Sequence, residues 1–397
     1  MPQLSPKKAM VLMATTAMVA AATAACSDQP APATGGGAGG TTGSSLPASV
    51  KILSIRQLTG PSSFAGTNGK KGMDLALDEI AAQKYLGSTT LQVDVNDSAN
   101  SVQEAASFAT QGVADKSYSA IIGPEASGQA TAVSAIVQPA KMPTIYIQAG
   151  STGVVTGDYT FRVTAPAATY FDISGKYLKT KAVANAAVLY ATDNPTLTQL
   201  GTKTVPEMAP ANGFAISSSD GVASNAQDFS AFASKVTSTK PQAVFVMLIG
   251  PQTPVVITQL RRAGYTGEVV GMSAMGSGNL KPAGDLAKGA VWPTDFSADQ
   301  TAPSSQKFVA AYKAKYSNEA PNNYAAEGYD AMWFLARGIK AAGSADRTAI
   351  QGALAGVAKS GFDGAMGKLT FDGNDLRVTG VLATWNGTGE TVVPSAG

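Results

Sequence analysis

Glycine and hydroxyl residues cluster where apolar runs end. Ile121-Ile122 is followed by Gly123-Pro124-Glu125-Ala126-Ser127-Gly128, and MPTIYI (142–147) by Gln148-Ala149-Gly150-Ser151-Thr152-Gly153. Ser127 stands where a helix begins, and free backbone N–H groups and the helix dipole favour an anion there. Ser151 and Thr152 add hydroxyl donors on a neighbouring loop. A carboxylate is the simplest anion that fits two such loops. The same residues also have a structural use. Ser127 as a helix N-cap is worth about 1 kcal/mol, and Gly-Ser-Thr is ordinary turn chemistry. Phe64 reads as a ligand platform or as a core or lid residue, and Tyr324 as a platform or as helix packing.

Other chemistry is closed off by composition. The 397 residues include no histidine, which removes Ser-His, Cys-His and His-metal sites. The single cysteine, Cys26, cannot form an internal disulfide. Asp94 and Asp97 lie close together, and Asp193 and Glu207 lie at a distance, but paired acids at strand ends are usually solvated or capping, and there is no G-x-S-x-G elbow. The chain is therefore read as a binder, not an enzyme, with no cofactor and no metal. Charged residues make up 14% and hydrophobic residues 44%, the balance of a packed globular protein. Without Lys7 and Lys8, the 29 basic residues become 27 and match the 27 acids. No basic block marks a nucleic-acid surface.

Lys7 and Lys8 precede an apolar stretch, residues 9–22, and then Thr23-Ala24-Ala25-Cys26. A positive end, a short apolar core and small residues before a cut form the signal-peptide pattern. The core is shorter than the roughly 20 residues that a membrane span needs. The cysteine after small residues resembles a bacterial lipobox, with Thr23 where that motif usually has leucine. Residues 1–25 are thus expected to be a signal peptide, Cys26 a lipidation site, and 26–47, rich in Gly, Ser, Thr and Pro, a flexible tether. The protein would be held at the extracytoplasmic face of a cell membrane by that lipid.

From Val50 the apolar pattern alternates between periods of two and of 3.6. Strands are expected at 50–55, 91–95, 119–122 and 142–147, and helices at 67–83, 101–115 and 128–138. A second round follows. Its strands fall at 183–191, 213–219, 242–249 and 268–272, and its helices at 195–211 (interrupted by Pro195 and Pro206), 228–238 and 251–263. Such alternation makes parallel sheets covered by helices. After residue 295 come helices near 308–315, 324–339 and 346–358, then antiparallel strands at 368–371, 379–385 and 391–393, with a hairpin at Asn386-Gly387. Ligands of open α/β sheets sit beyond the carboxyl ends of the strands. Those ends also include LTGPSSFAG (58–66), ATDNPT (191–196), IGPQT (249–253) and MSAMGSG (272–278).

LTGPSSFAGTNGKKGMDLALDEI and IIGPEASGQATAVSAIVQPAKMPTIYIQAGST resemble segments of the leucine/isoleucine/valine-binding family of ABC-transporter substrate-binding proteins, as do VFVMLIGPQTPVVITQLRRAGYTGEVVG and NYAAEGYDAMWFLARGI. The resemblance covers roughly residues 50–395. It implies an α/β fold of two doubly wound lobes joined by three hinge crossings, one lobe from 48–165 plus 297–374 and the other from 166–296 plus 375–397. It also implies a monomeric receptor that closes its lobes on a small polar molecule (an amino acid, amide or carboxylate) and delivers it to ABC permease subunits. The same fold also serves as a sensor module that reports to a separate partner. The ligand-binding positions expected on this basis are Phe64, Ala126, Ser127, Gly150, Ser151, Thr152, Asn194, Gly250, Ser273 and Tyr324. Ser273 stands where the family often has the acid that meets an α-ammonium. Asp193 or Glu125 could replace it, and a neutral or carboxylate-bearing ligand fits its loss.

Overall fold

The structure is a computed structural model that describes residues 46–60 and 62–394. The expected signal peptide, Cys26 and nearly all of the tether lie outside the described residues. The described residues all belong to one compact unit, Gly43–Gly397.

Two sheets organise this unit. Its strands are β1 (Ser49–Arg56), β2 (Thr90–Asp97), β3 (Tyr118–Ile122), β4 (Thr144–Tyr146), β5 (Thr160–Arg162), β6 (Asn185–Ala191), β7 (Ala215–Val222), β8 (Ala243–Met247), β9 (Glu268–Val270), β10 (Val291–Thr294), β11 (Phe362–Gly364), β12 (Gly367–Asp372), β13 (Asp375–Arg377), β14 (Val381–Trp385) and β15 (Glu390–Val392). The first sheet runs β11-β12-β13-β5-β4-β3-β1-β2, and the second β15-β14-β10-β9-β8-β6-β7. Neighbours from β13 to β2 and from β10 to β7 pair in parallel, while the remaining edge strands pair antiparallel. The result is the two-lobed α/β architecture that the alternation predicts. β8 is buried along its whole length and lies inside the second sheet, as its unbroken apolar run requires.

The chain passes between sheets three times: after β5, after β10 and after β13. The last passage follows Arg377, not residue 374 as expected. Asp375–Arg377 still pairs with β12, and Asp375 pairs with Arg162 of β5. Arg162 braces this region. It is fully buried, its Nε donates to Asp375 at 2.9 Å, and its Nη1 donates to the carbonyls of Ala149 and Ser151. One arginine thus ties two crossings to a loop at a strand end.

Each lobe has its own core. Burying each Leu, Ile, Val or Phe contributes about 1.5–3 kcal/mol. In the first lobe, helices Ser63–Ala82 and Asn323–Ala342 touch through glycine. A methyl on Gly72 would overlap the Ala325 carbonyl, and one on Gly328 the Gly69 carbonyl. This close contact brings the starts of both helices, with Phe64 and Tyr324, to the same end of the sheet.

Candidate binding cleft

A cleft of about 370 Å³ opens between the lobes at the carboxyl ends of the parallel strands. The first lobe contributes Gln57 after β1, Glu125 to Gln129 after β3, and Gln148 and Gly150 after β4. The second contributes Asp193 to Leu197 after β6, Ile249 and Gly250 after β8, and Met272 to Ala274 after β9. Gly123 turns the chain from β3 toward the cleft. Its φ of +91° and the clash that a methyl would make with the Ile55 carbonyl both require glycine.

Phe64, Ala126, Ser127, Gly150, Asn194, Gly250, Ser273 and Tyr324 all line this cleft. Ser151 and Thr152 do not; they stand behind it as a bridge between the lobes. Ser127 Oγ and Ser151 Oγ meet the Thr196 hydroxyl at 3.0 and 2.9 Å, and Ser127 Oγ also accepts from Ser151 N at 3.1 Å. Thr152 N donates to Gln199 Oε1 at 3.1 Å, and Gln199 Nε2 donates to Thr152 Oγ1 at 2.6 Å. Thr196 and Gln199 lie on helix Pro195–Gln199 of the second lobe.

This arrangement corrects the capping view of Ser127. Ala126 is the N-cap of helix Ser127–Val137, and no side chain caps that end. The helix's first N–H groups therefore stay free at the cleft wall. Asn194, in contrast, is a cap: its side chain accepts from Leu197 N at 3.2 Å. Phe64 is 41% exposed and meets Tyr324 edge to face at 6.2 Å, so the two rings form one apolar wall. The Tyr324 phenol also lies beside the Ser273 hydroxyl of the other lobe. Gly250 has a φ of +57° with open space beside it, so its backbone conformation selects glycine there.

Three acids line the cleft. Asp193 is occupied by Ser224, whose N donates at 3.0 Å and whose Oγ donates at 2.8 Å. Glu125 forms a buried ion pair with Arg56 at 2.9 Å. Burial pushes the Glu125 carboxyl up, and the guanidinium opposes that rise. Neither acid is a free substitute for the one that Ser273 lacks. The third, Glu327, was not foreseen, although it follows Tyr324 at helical spacing and interrupts an otherwise apolar helix. Gln129 and Gln148 were also missed; Gln129 follows Ser127 by two residues on the same helix start.

Residues 49–386 match the family model described as periplasmic binding protein. The chain is 24% identical over 336 residues to the leucine-, isoleucine-, valine-, threonine- and alanine-binding protein of Pseudomonas aeruginosa, covering 82% of this chain and 86% of that one. It superposes on a leucine-binding protein of Thermotoga maritima with a TM-score of 0.79 and 25% identity, covering 87% and 97% of the two chains. For a branched-chain amino acid transporter substrate-binding protein of Streptococcus pneumoniae, in complex with isoleucine, the TM-score is 0.77 and the identity 26%, covering 87% and 99%. These relatives are binding proteins, not enzymes. With its two-sheet fold and interlobe cleft, the chain belongs to the periplasmic binding protein family, whose members bind solutes for ABC transporters outside the cytoplasm.

Proposed function

We propose that this protein is a lipid-anchored receptor that captures a small polar solute (an amino acid, amide or carboxylate) and presents it to an ABC permease by closing its lobes. One observation carries the reading: loops from both sheets converge on one polar cleft, and Ser127 and Ser151 of one lobe are hydrogen-bonded to Thr196 of the other. A ligand between these loops would be held by both lobes at once, so it would favour the closed form. Free N–H groups at the start of helix Ser127–Val137 suit a carboxylate. The Phe64–Tyr324 wall suits an apolar body. Cys26 would carry the lipid and 26–47 would tether a monomeric receptor to the membrane.

Thermal-shift measurement over amino acids, small amides, aliphatic and aromatic carboxylates and short sugars tests the binding claim. A solute that binds only the native state raises Tm by mass action. The expected result is a rise confined to one chemical class. A folded sample with a flat response to every class contradicts the reading. The anchor is tested separately: Cys26→Ala should move the protein from the membrane to the soluble fraction, and retention in the membrane would contradict lipidation.

A further inference from the structure

Of the three cleft acids, Glu327 has neither the ion pair of Glu125 nor the N–H and hydroxyl donors that hold Asp193. It is 2% exposed, on helix Asn323–Ala342, with Asn323 Nδ2 3.3 Å from its Oε1. Its Oε2 has no hydrogen-bond partner among the described residues. Asp295, 1% exposed at the crossing after β10, faces it, beside the neutral Thr294 hydroxyl and the backbone N–H groups of Asp295 and Phe296. Two carboxyls can bond to each other only through a shared proton. The other groups around the pair are Thr164, Tyr324 on the same helix, Tyr170 from helix Ala167–Tyr170, and Asp330 near Asp295; Arg162, beyond Tyr170, is already paired with Asp375. No lysine or arginine pairs with either carboxyl among the described residues. Other unanswered atoms in the cleft have the same polarity. Gln129 Nε2 donates to the Ser101 carbonyl and Gln148 Nε2 to the Ala65 carbonyl, which fixes both amides and leaves both Oε1 atoms without a donor. Apart from the Arg56–Glu125 pair, the fully buried side-chain atoms of the cleft that lack partners among the described residues are acceptors.

We propose that Glu327 is the acceptor for an N–H group of the ligand, so that the receptor selects solutes that carry an N–H donor beside their carboxylate over those that carry the carboxylate alone. This rests on the receptor reading above and names its solute class. Burial, then the Asp295 charge, push the Glu327 carboxyl well above the ordinary range, while burial sets Asp295 at about 6. Glu327 is thus the member of the pair whose protonated form burial and the neighbouring charge favour. An ammonium that pairs with Glu327 as a carboxylate sends that proton to solvent; a neutral N–H bonds to the protonated acid's carbonyl oxygen without releasing it.

Calorimetry with two matched pairs tests this: L-leucine against 4-methylpentanoate, and 3-aminobenzoate against benzoate. The purified protein should bind at least one aminated member about tenfold or more tightly than its counterpart, the scale of leaving a buried acceptor unanswered. Glu327→Ala should abolish that preference, and Glu327→Gln, which keeps an acceptor oxygen, should restore part of it. Equal binding within both pairs, or a preference that survives Glu327→Ala, overturns the inference while leaving a receptor in place. Failure of all four probes overturns it together with the amino-acid and carboxylate reading. Should the variants not fold, the unaltered protein decides: the heat of L-leucine binding should differ between phosphate and Tris as the Glu327 carboxyl gives up its proton, and identical heats overturn the proposal.

Discussion

Arg56 and Glu125 face each other with side chains 0% and 1% exposed, so each charge depends on the other. Arg56 Nη2 also donates to the Gly66 carbonyl at 3.0 Å, at the start of the helix that presents Phe64. Glu125→Gln leaves the guanidinium buried without its counter-charge and should cost about 3–5 kcal/mol of stability, the scale of breaking such a pair from one side. Urea unfolding checks this; a loss below about 1 kcal/mol, the scale of an exposed pair, would contradict the burial argument. Ser127→Ala should weaken solute binding by about tenfold through its lost bonds to Thr196 and Ser151, with a smaller effect on Tm. Binding equal to that of the unaltered protein would mean that its hydroxyl serves only local structure. Small residues at the ends of apolar runs were legible from sequence, because backbone access and hydroxyls leave a local pattern. Glu327 and Gln148 were not, because what distinguishes them is a missing partner, and that depends on Asp295 and Ala65, distant in sequence.

Helix Pro195–Gln199 carries the clasp between the lobes. The sequence predicts an uneven helix over 195–211, and the structure keeps the chain helical by changing the turn. An α-helical segment, 195–199, passes into a π-helical one, Leu200–Thr204, then into Val205–Met208. Pro195 falls in the first turn, where the absent N–H is least costly, and Pro206 follows directly on the π-helical segment. Thr196→Val removes the hydroxyl that joins Ser127 and Ser151, and should shift the lobes toward an open form. We expect about tenfold weaker solute affinity, from the loss of two hydrogen bonds, and a larger radius of gyration in small-angle scattering. Unchanged affinity and radius would show that these bonds do not hold the lobes together. Long elements such as β1, β8 and the helix Asn323–Ala342 were readable from periodicity alone. β5, β10 and β13 were not. They have three or four residues, Arg162 or Pro293 interrupts two of them, and their pairing comes from partners remote in sequence, as Asp375 with Arg162 and Val291 with Val270.

For the whole molecule, buried carboxyls set the response to pH. Asp330 accepts from Ala365 N at 2.6 Å and Met366 N at 2.9 Å, yet burial outweighs these bonds and raises its carboxyl to about 7 from an ordinary 3.8. Between those values the native protein holds a proton that the unfolded chain has released. The stability from this group is complete below 3.8 and is lost as pH rises through about 7. Asp295, at about 6, acts in the same sense. Asp94, held low by Tyr118 and Lys51, and Asp172, held low by Asn212, act oppositely, and their contributions disappear in acid. Tm should therefore peak near about pH 5, and Asp330→Asn should flatten the fall toward pH 8; an unaltered slope would contradict this account of Asp330. The alternation of strands and helices made the two α/β units legible, but the cleft between them depends on how three short crossings are braced, and that is a property of the assembled fold. The central claim, that the cleft binds a small polar solute through both lobes, is met most directly by calorimetric titration of the purified protein with the solute class that raises its Tm, beside Ser127→Ala and Thr196→Val. The account predicts saturable binding of one solute per chain, weakened in both variants. Saturable binding that neither variant alters would contradict it.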